Sequence, residues 1–323
     1  MTEENSLFRL ETDSDHLAQH APLLHLSIDG FVDAGQVRGQ IADHILDTLD
    51  HEVLASFDVD QLMDYRSRRP MMTFDSDHFS EIDQISLVLY RVKDAEGSPF
   101  LFLHGSEPDY RWEAFTEAVH QLCRAFGVRK VVAAHGIPMA VPHTRPVGMT
   151  RFASDPDLIP GNQALFGKVQ VPASVESLIQ LRLGEAGLQT SGLAAHVPHY
   201  LAESAFGDAA VAAMEALGEM TNLSIPSDAL AASAVENRGQ IEEQVKQAPE
   251  VLEAVSELEK RYDQFVEGQR RQSLLKQSRK ISLPRTSSAL SLRSSSRKRP
   301  AKATRTRPPN RDGLLKSTRP TLQ

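Results

Sequence analysis

The stretch that decides the fold is PLLHLSIDGFVDAGQ, residues 22–36. Its first half is a short apolar run of the kind that forms a buried strand, and Asp29-Gly30 breaks that run. Beyond Gly35 the apolar residues Val37, Ile41, Ile45 and Leu49 recur every four positions. That period predicts a helix reaching about Leu54, with Asp33 as its N-cap. Strand, glycine-containing turn and helix together form the opening unit of an α/β sheet.

The alternation continues on either side. A strand is expected over 57–65, a long charged loop over 66–81, and two strands over 85–92 and 99–104 joined through 94–98. Trp112, Phe115, Val119, Leu122 and Phe126 share one face of a helix over 109–126 that Gly127 ends. Residues 128–134 read as a buried strand leading into His135-Gly136-Ile137-Pro138. Further strands are expected over 167–171 and 188–196, with helices over 173–186 and 207–220. The pattern predicts an α/β fold with a mostly parallel sheet flanked by helices on both faces.

Composition divides the rest. Residues 1–20 are polar and acidic, a flexible arm; 21–226 form the α/β domain; 227–268 are highly charged with a sparse helical period broken at Pro249, a helical extension. From Gly268 onward there are 16 Lys and Arg against Asp312 alone, leaving 19 basic and 42 acidic residues before it. The chain's net charge of -8 thus combines a body near -23 with a tail near +15. Residues 269–323 lack any apolar period, so burial cannot offset their ordering entropy and a disordered basic tail is expected. The acidic body disfavours extended contact with nucleic acid or an anionic membrane, whereas the tail suits weak polyanion contact. No aromatic residue follows Phe265, so base stacking is not expected there.

Cys123 is the one cysteine, which excludes a disulfide framework and a thiolate metal cluster. No signal-like N-terminus and no transmembrane segment is apparent, which makes the cytoplasm the expected location. No cofactor is implied: the first turn lacks G-x-G-x-x-G, and its two Asp would oppose a pyrophosphate. His196 and His199 are three apart, but Pro198 disrupts helical H-x-x-H geometry, and Asp75, Asp77 and His78 lie in the charged loop. No metal site is expected from either.

Loops at the carboxyl ends of parallel strands gather into one crevice, and three such loops carry polar groups. They bring Asp29, Gly30 and Asp33; Glu107 and Arg111; and His135, Thr144 and Arg145, with His199 beyond a later strand. Such a set could bind a small anionic ligand through charge-assisted hydrogen bonds. The competing reading is structural, with glycines turning the chain, Glu107 capping locally and the arginines in surface ion pairs. In the tail, Ser282, Thr286, Ser287, Ser288, Ser294, Ser295 and Ser296 follow basic residues and are candidate phosphorylation positions.

Four segments, LLHLSIDGFVDAGQ (23–36), HGSEPDYRWEAF (104–115), GIPMAVPHTRPVGM (136–149) and SGLAAHVPHYLAE (191–203), resemble in this order the PAC2, or proteasome assembly chaperone 2, family, especially its actinobacterial members of unknown function. The resemblance covers roughly residues 20–265. It implies an α/β core similar to nucleoside phosphorylases and related hydrolases, and self-association into a homo-oligomer, a trimer among the forms. The family name comes from eukaryotic chaperones of proteasome assembly. Asp29, Gly30, Glu107, Pro108, Trp112, Pro138, Pro198 and His199 match its pattern, and no catalytic residue is carried over. The leading expectation is an interaction or assembly protein with an unidentified protein partner. A phosphorylase- or hydrolase-like small-molecule enzyme and a tail-mediated nucleic-acid binder are the alternatives.

Overall fold

The computed structural model describes residues 7–11, 20–162, 164, 165 and 167–281, with side chains described as far as Gly268. The chain divides into two units, Met1–Arg271 and Gln272–Gln323. In the second, only the end of a helix lies among the described residues.

The elements run β1 (Phe8–Leu10), β2 (Leu23–Ile28), α1 (Val37–Thr48), β3 (His51–Phe57), α2 (Val59–Leu62), β4 (Met72–Asp75), β5 (His78–Ile82), β6 (Leu87–Lys93) and β7 (Pro99–Gly105). They continue with α3 (Trp112–Phe126), β8 (Lys130–Met139), β9 (Met149–Ala153), α4 (Val175–Glu185), β10 (Gln189–Pro198), α5 (Gly207–Thr221), α6 (Asp228–Gln247) and α7 (Pro249–Ile281). Eight strands form one sheet in the order β1-β3-β6-β7-β2-β8-β10-β9, and β4 and β5 form a separate hairpin.

The expected mostly parallel sheet is corrected to a mixed one. Only the central strands β7, β2, β8 and β10 are parallel. β6 and β9 flank them antiparallel, and β3 and then β1 extend the β6 side through further antiparallel pairings. The turn between β6 and β7 is far too short for a parallel crossover, so those strands must form a hairpin.

The central strands are buried on both faces. From β2, Leu24, Leu26 and Ile28 join a core with Phe115, Val119 and Leu122 of α3 and Ile179 and Leu183 of α4. Leu23 faces the other way, into a core with Val37 and Ile41 of α1 and Ala210 and Met214 of α5. Each fully buried Phe or Leu contributes about 1.5–3 kcal/mol, enough for the sheet's two-sided packing to dominate local preference.

Several local expectations shift. The helix after β2 ends at Thr48, and the residues expected to continue it form β3. In place of a strand over 57–65, Asp58 caps the short α2 by accepting from the Asp60 amide. No strand forms over 167–171 among the described residues; instead Ser174 and Ser177 build a capping box that starts α4. The charged loop holds the β4–β5 hairpin. Helices α6 and α7 meet at Ala248-Pro249, and α7 runs past Gly268 to Ile281.

Candidate functional site

The carboxyl ends of β2 and β8 hold the densest group of buried polar side chains. Arg38, from the first turn of α1, and Glu176, from the first turn of α4, are both nearly inaccessible and pair across the sheet's edge at 3.5 Å. His135 of β8 brings Nδ1 within 3.9 Å of the second Glu176 oxygen. His25 is buried against Phe102, with ring centroids 5.2 Å apart.

The turn geometry explains why these groups meet. Asp33 accepts from the backbone amides of Arg38 at 2.9 Å and of Gly39 at 3.3 Å, fixing the start of α1. The same carboxylate accepts from the Gly136 amide of β8 at 3.1 Å. That contact requires glycine, because a Cβ at 136 would lie 1.9 Å from the Ala34 carbonyl oxygen. Glu107, two residues beyond β7, accepts from the Val175 amide at 2.6 Å and so fixes the start of α4. One carboxylate therefore sets Arg38 and another sets Glu176.

Burial governs the cluster's charge. It pushes the Glu176 carboxyl up to about 7, partly opposed by Arg38. It takes His135 down to about 4, with Arg38 adding repulsion. His25 falls to about 3 through burial, then Arg38 and His104. At neutral pH the histidines are uncharged, and the guanidinium faces a carboxyl that holds a proton part of the time. Arg38 Nε and Nη1, Glu176 Oε2 and His135 Nδ1 make no hydrogen bond of good geometry with other described residues.

The other expected site residues divide between structure and surface. Asp29 and Gly30 lie beside the cluster, Asp29 anchored through its amide to the Gly105 carbonyl at 2.9 Å. Arg111 donates to Gln61 on the far side of the β7 loop. Thr144 and Arg145 turn away to α7: Thr144 donates to Glu259, and Arg145 holds Asp263 through two bonds of 2.9 Å and Glu259 at 3.1 Å. His199 is exposed, its ring edge-on to Tyr200 at 5.5 Å. His196 bonds Thr150 at 2.8 Å. The loop carrying Asp75, Asp77 and His78 becomes the exposed hairpin. Ser282, Thr286, Ser287, Ser288, Ser294, Ser295 and Ser296 lie outside the described residues.

Sequence reasoning missed Arg38 and Glu176. The signal was there: Arg38 shares a helical stripe with Ala42 and Ile45, and Glu176 shares one with Ile179 and Leu183, so both are charges placed on a core-facing side. Among the described residues, no three His, Cys, Asp or Glu side chains are grouped to hold a metal, and no helix is long and apolar enough to cross a membrane. Cys123 is buried, and its thiol is pushed up to about 12.

A model of the PAC2 family matches residues 27–245, from the end of β2 through β7, β8 and β10 to α6, and takes in Arg38, His135 and Glu176. The chain belongs to the PAC2 family. Among solved structures, a Mycobacterium tuberculosis protein of unknown function is 39% identical, covering 84% of this chain and 94% of its own with a TM-score of 0.78. A Corynebacterium glutamicum protein of unknown function is 32% identical over 81% of this chain and 98% of its own, with a TM-score of 0.74. A PAC2 family protein from Streptomyces avermitilis is 26% identical over 72% of this chain and 99% of its own, with a TM-score of 0.63. No curated protein matches the chain. The sequence resemblance to PAC2 is thus borne out, and the matched PAC2 region ends within α6.

Proposed function

We propose that this PAC2 protein is an interaction or assembly protein, working in the cytoplasm through protein contacts rather than by catalysis. The observation that carries this is the contrast between its polar residues and its hairpin. Asp33, Glu107 and Arg145 spend their hydrogen bonds on helix starts and on α7. The β4–β5 hairpin instead exposes Met71, Met72, Phe74, Phe79 and Ile82. Met72 lies opposite Ile82 and Phe74 opposite Phe79, while Ser80 bulges out of the pairing. That bulge brings all four apolar side chains to one face. A lone two-stranded hairpin is marginal in water, so a second chain covering this face would stabilise both partners. Self-association, as a trimer or another homo-oligomer, and an unidentified protein partner both fit that surface.

A second reading draws on the buried cluster. The unbonded edges of Arg38, Glu176 and His135 suit a small polar ligand, which would place the protein among the phosphorylase- or hydrolase-like binders. The basic segment 269–323 supports a third reading, a weak, salt-sensitive contact with polyanions that phosphorylation of its serines and Thr286 would weaken. Native purification of the full chain separates these readings. A stoichiometric protein partner or a defined oligomer supports the proposal; a retained metabolite without any partner or oligomer overturns it.

A further inference from the structure

A cleft of about 600 Å³ opens between α5, α6 and the loop that follows β8. Its shape follows from a close contact at one end. Gly207 lets α5 touch α6, since a Cβ there would lie 2.7 Å from the Ala234 Cα. The Gly207 amide donates to Asn237 at 3.1 Å, and Arg238 chelates Asp208 beside it. On the loop side, Tyr262 of α7 donates to the Pro146 carbonyl at 3.1 Å, and Arg145 is fixed by Glu259 and Asp263.

The floor is apolar and built from small side chains: Val147, Val211, Ala212, Ala231 and Val235, the last 62% exposed. The charge around it is one-sided. Five carboxylates, Asp208, Glu215, Glu242, Glu259 and Asp263, line the cleft or pair with its lining, against Arg145 and Arg238. Both guanidiniums already pair with carboxylates, Arg238 with Asp208 and Arg145 with Glu259 and Asp263. Glu215 and Glu242 are exposed, and among the described residues neither lies within ion-pair distance of a cation, although Glu242 acts on Arg238 and Lys246 from farther away. His143 also lines the cleft; burial lowers its pKa, against the opposing pull of Glu242, Glu259 and Asp208.

The geometry points to this cleft as a docking groove for a basic segment of a partner protein, one that seats an aliphatic side chain on the valine-alanine floor and places Arg or Lys beside Glu215 and Glu242. Small floor residues leave depth for one branched side chain, and the two unpaired carboxylates select its flanking charge. The inference rests on the interaction-protein reading and gives that reading a second, chemically defined surface apart from the hairpin.

The test uses the full chain and three labelled probe peptides: one with leucine flanked by arginines, one with glutamates replacing the arginines, and one with serine replacing the leucine. The arginine–leucine peptide is expected to bind best, with the glutamate form about tenfold weaker or worse and the serine form weaker as well. Its affinity should fall as salt rises from about 50 to about 200 mM. Glu215→Lys with Glu242→Lys should reverse the order of the charged peptides, while Glu250→Lys with Glu253→Lys, the same charge change away from the cleft, should not. Matching melting temperatures for the two doubles confirm that both fold. Equal binding of all three peptides, or binding of none, overturns the groove. So does tighter binding of the chain's own 282–323 peptide, or loss of self-association in the Glu215/Glu242 double, because either names another occupant. The partner retained by native purification is scored separately, so failure of the groove leaves the interaction reading standing or falling on its own measurement.

Discussion

The ends of β2 and β8 and the β4–β5 hairpin use their chemistry in opposite ways. At the strand ends, charged groups are withdrawn from water and set by backbone contacts: Arg38 and Glu176 lie almost wholly inside, with Asp33 and Glu107 fixing their helices. On the hairpin, apolar side chains stand in water, and the two strands pair only with each other. Buried charge of this kind costs stability unless both partners stay in place, whereas exposed apolar area costs nothing in the fold and gains only on association. We propose that the cluster maintains the fold and that the hairpin is the surface a partner covers.

The largest effect on stability is expected from Arg38→Ala. Removing one partner of a buried pair should cost about 3–5 kcal/mol, measured as a lower urea midpoint with an unchanged slope. Arg38→Met combined with Glu176→Leu should recover much of that loss, because it removes the uncompensated charge. If Arg38→Ala unfolds at the wild-type midpoint, the cluster is not structural.

Acidification sharpens the same side of the comparison. His25 and His135 are depressed to about 3 and about 4 in the folded chain. Above pH 6.5 both are neutral in either state, so their contribution is fully present. Below it the unfolded chain takes protons that the folded one refuses, and stability falls toward pH 4 by about 1.4 kcal/mol per pH unit for each histidine. Glu176, raised to about 7, works the other way: between about pH 7 and its ordinary range the folded chain holds a proton that the unfolded one releases, so stability rises as pH falls. Two histidines outweigh one glutamate, and net stability should drop between pH 6.5 and 4.5. Glu176→Gln should steepen that drop; a flat profile in both proteins would contradict these assignments.

Arg145 should matter much less. Its ion pairs with Glu259 and Asp263 are open to water, so Arg145→Ala should hardly move the melting temperature. Faster amide exchange over residues 143–147 and in α7 near Asp263 would show that the contact holds the loop against the helix. Unchanged exchange would mean that the packing of Tyr262 suffices.

Much of the frame was legible in the sequence, because burial on both faces leaves long apolar runs. Residues 22–28, 85–92 and 128–134 read as strands, and Trp112–Phe126 as a helical pattern, and the structure has β2, β6, β8 and α3 there, since period and partner agree. Pro249 marked the break between α6 and α7 because it cannot sit inside a helix. β3 was hidden because Leu49 and Leu54 extend the period of α1. The hairpin was hidden because its strands are short and interleaved with Asp, Ser and Glu. Strand direction depends on which strands meet, although the five-residue turn 94–98 already required an antiparallel pair. At the site, polar residues in loops drew attention, while the two charges at its centre sat inside helices. There a charge on a core-facing stripe carries the information that a loop position does not.

The most direct test of the central claim is the mass of the natively purified assembly for the full chain and for Phe74→Asp with Phe79→Asp. Both side chains are exposed, so the double variant should keep the melting temperature of the main sheet even though it removes the cross-strand ring contact of the hairpin. The account predicts that the wild-type chain carries a partner or further copies of itself and that the variant loses them. An assembly of unchanged mass in the variant would contradict it.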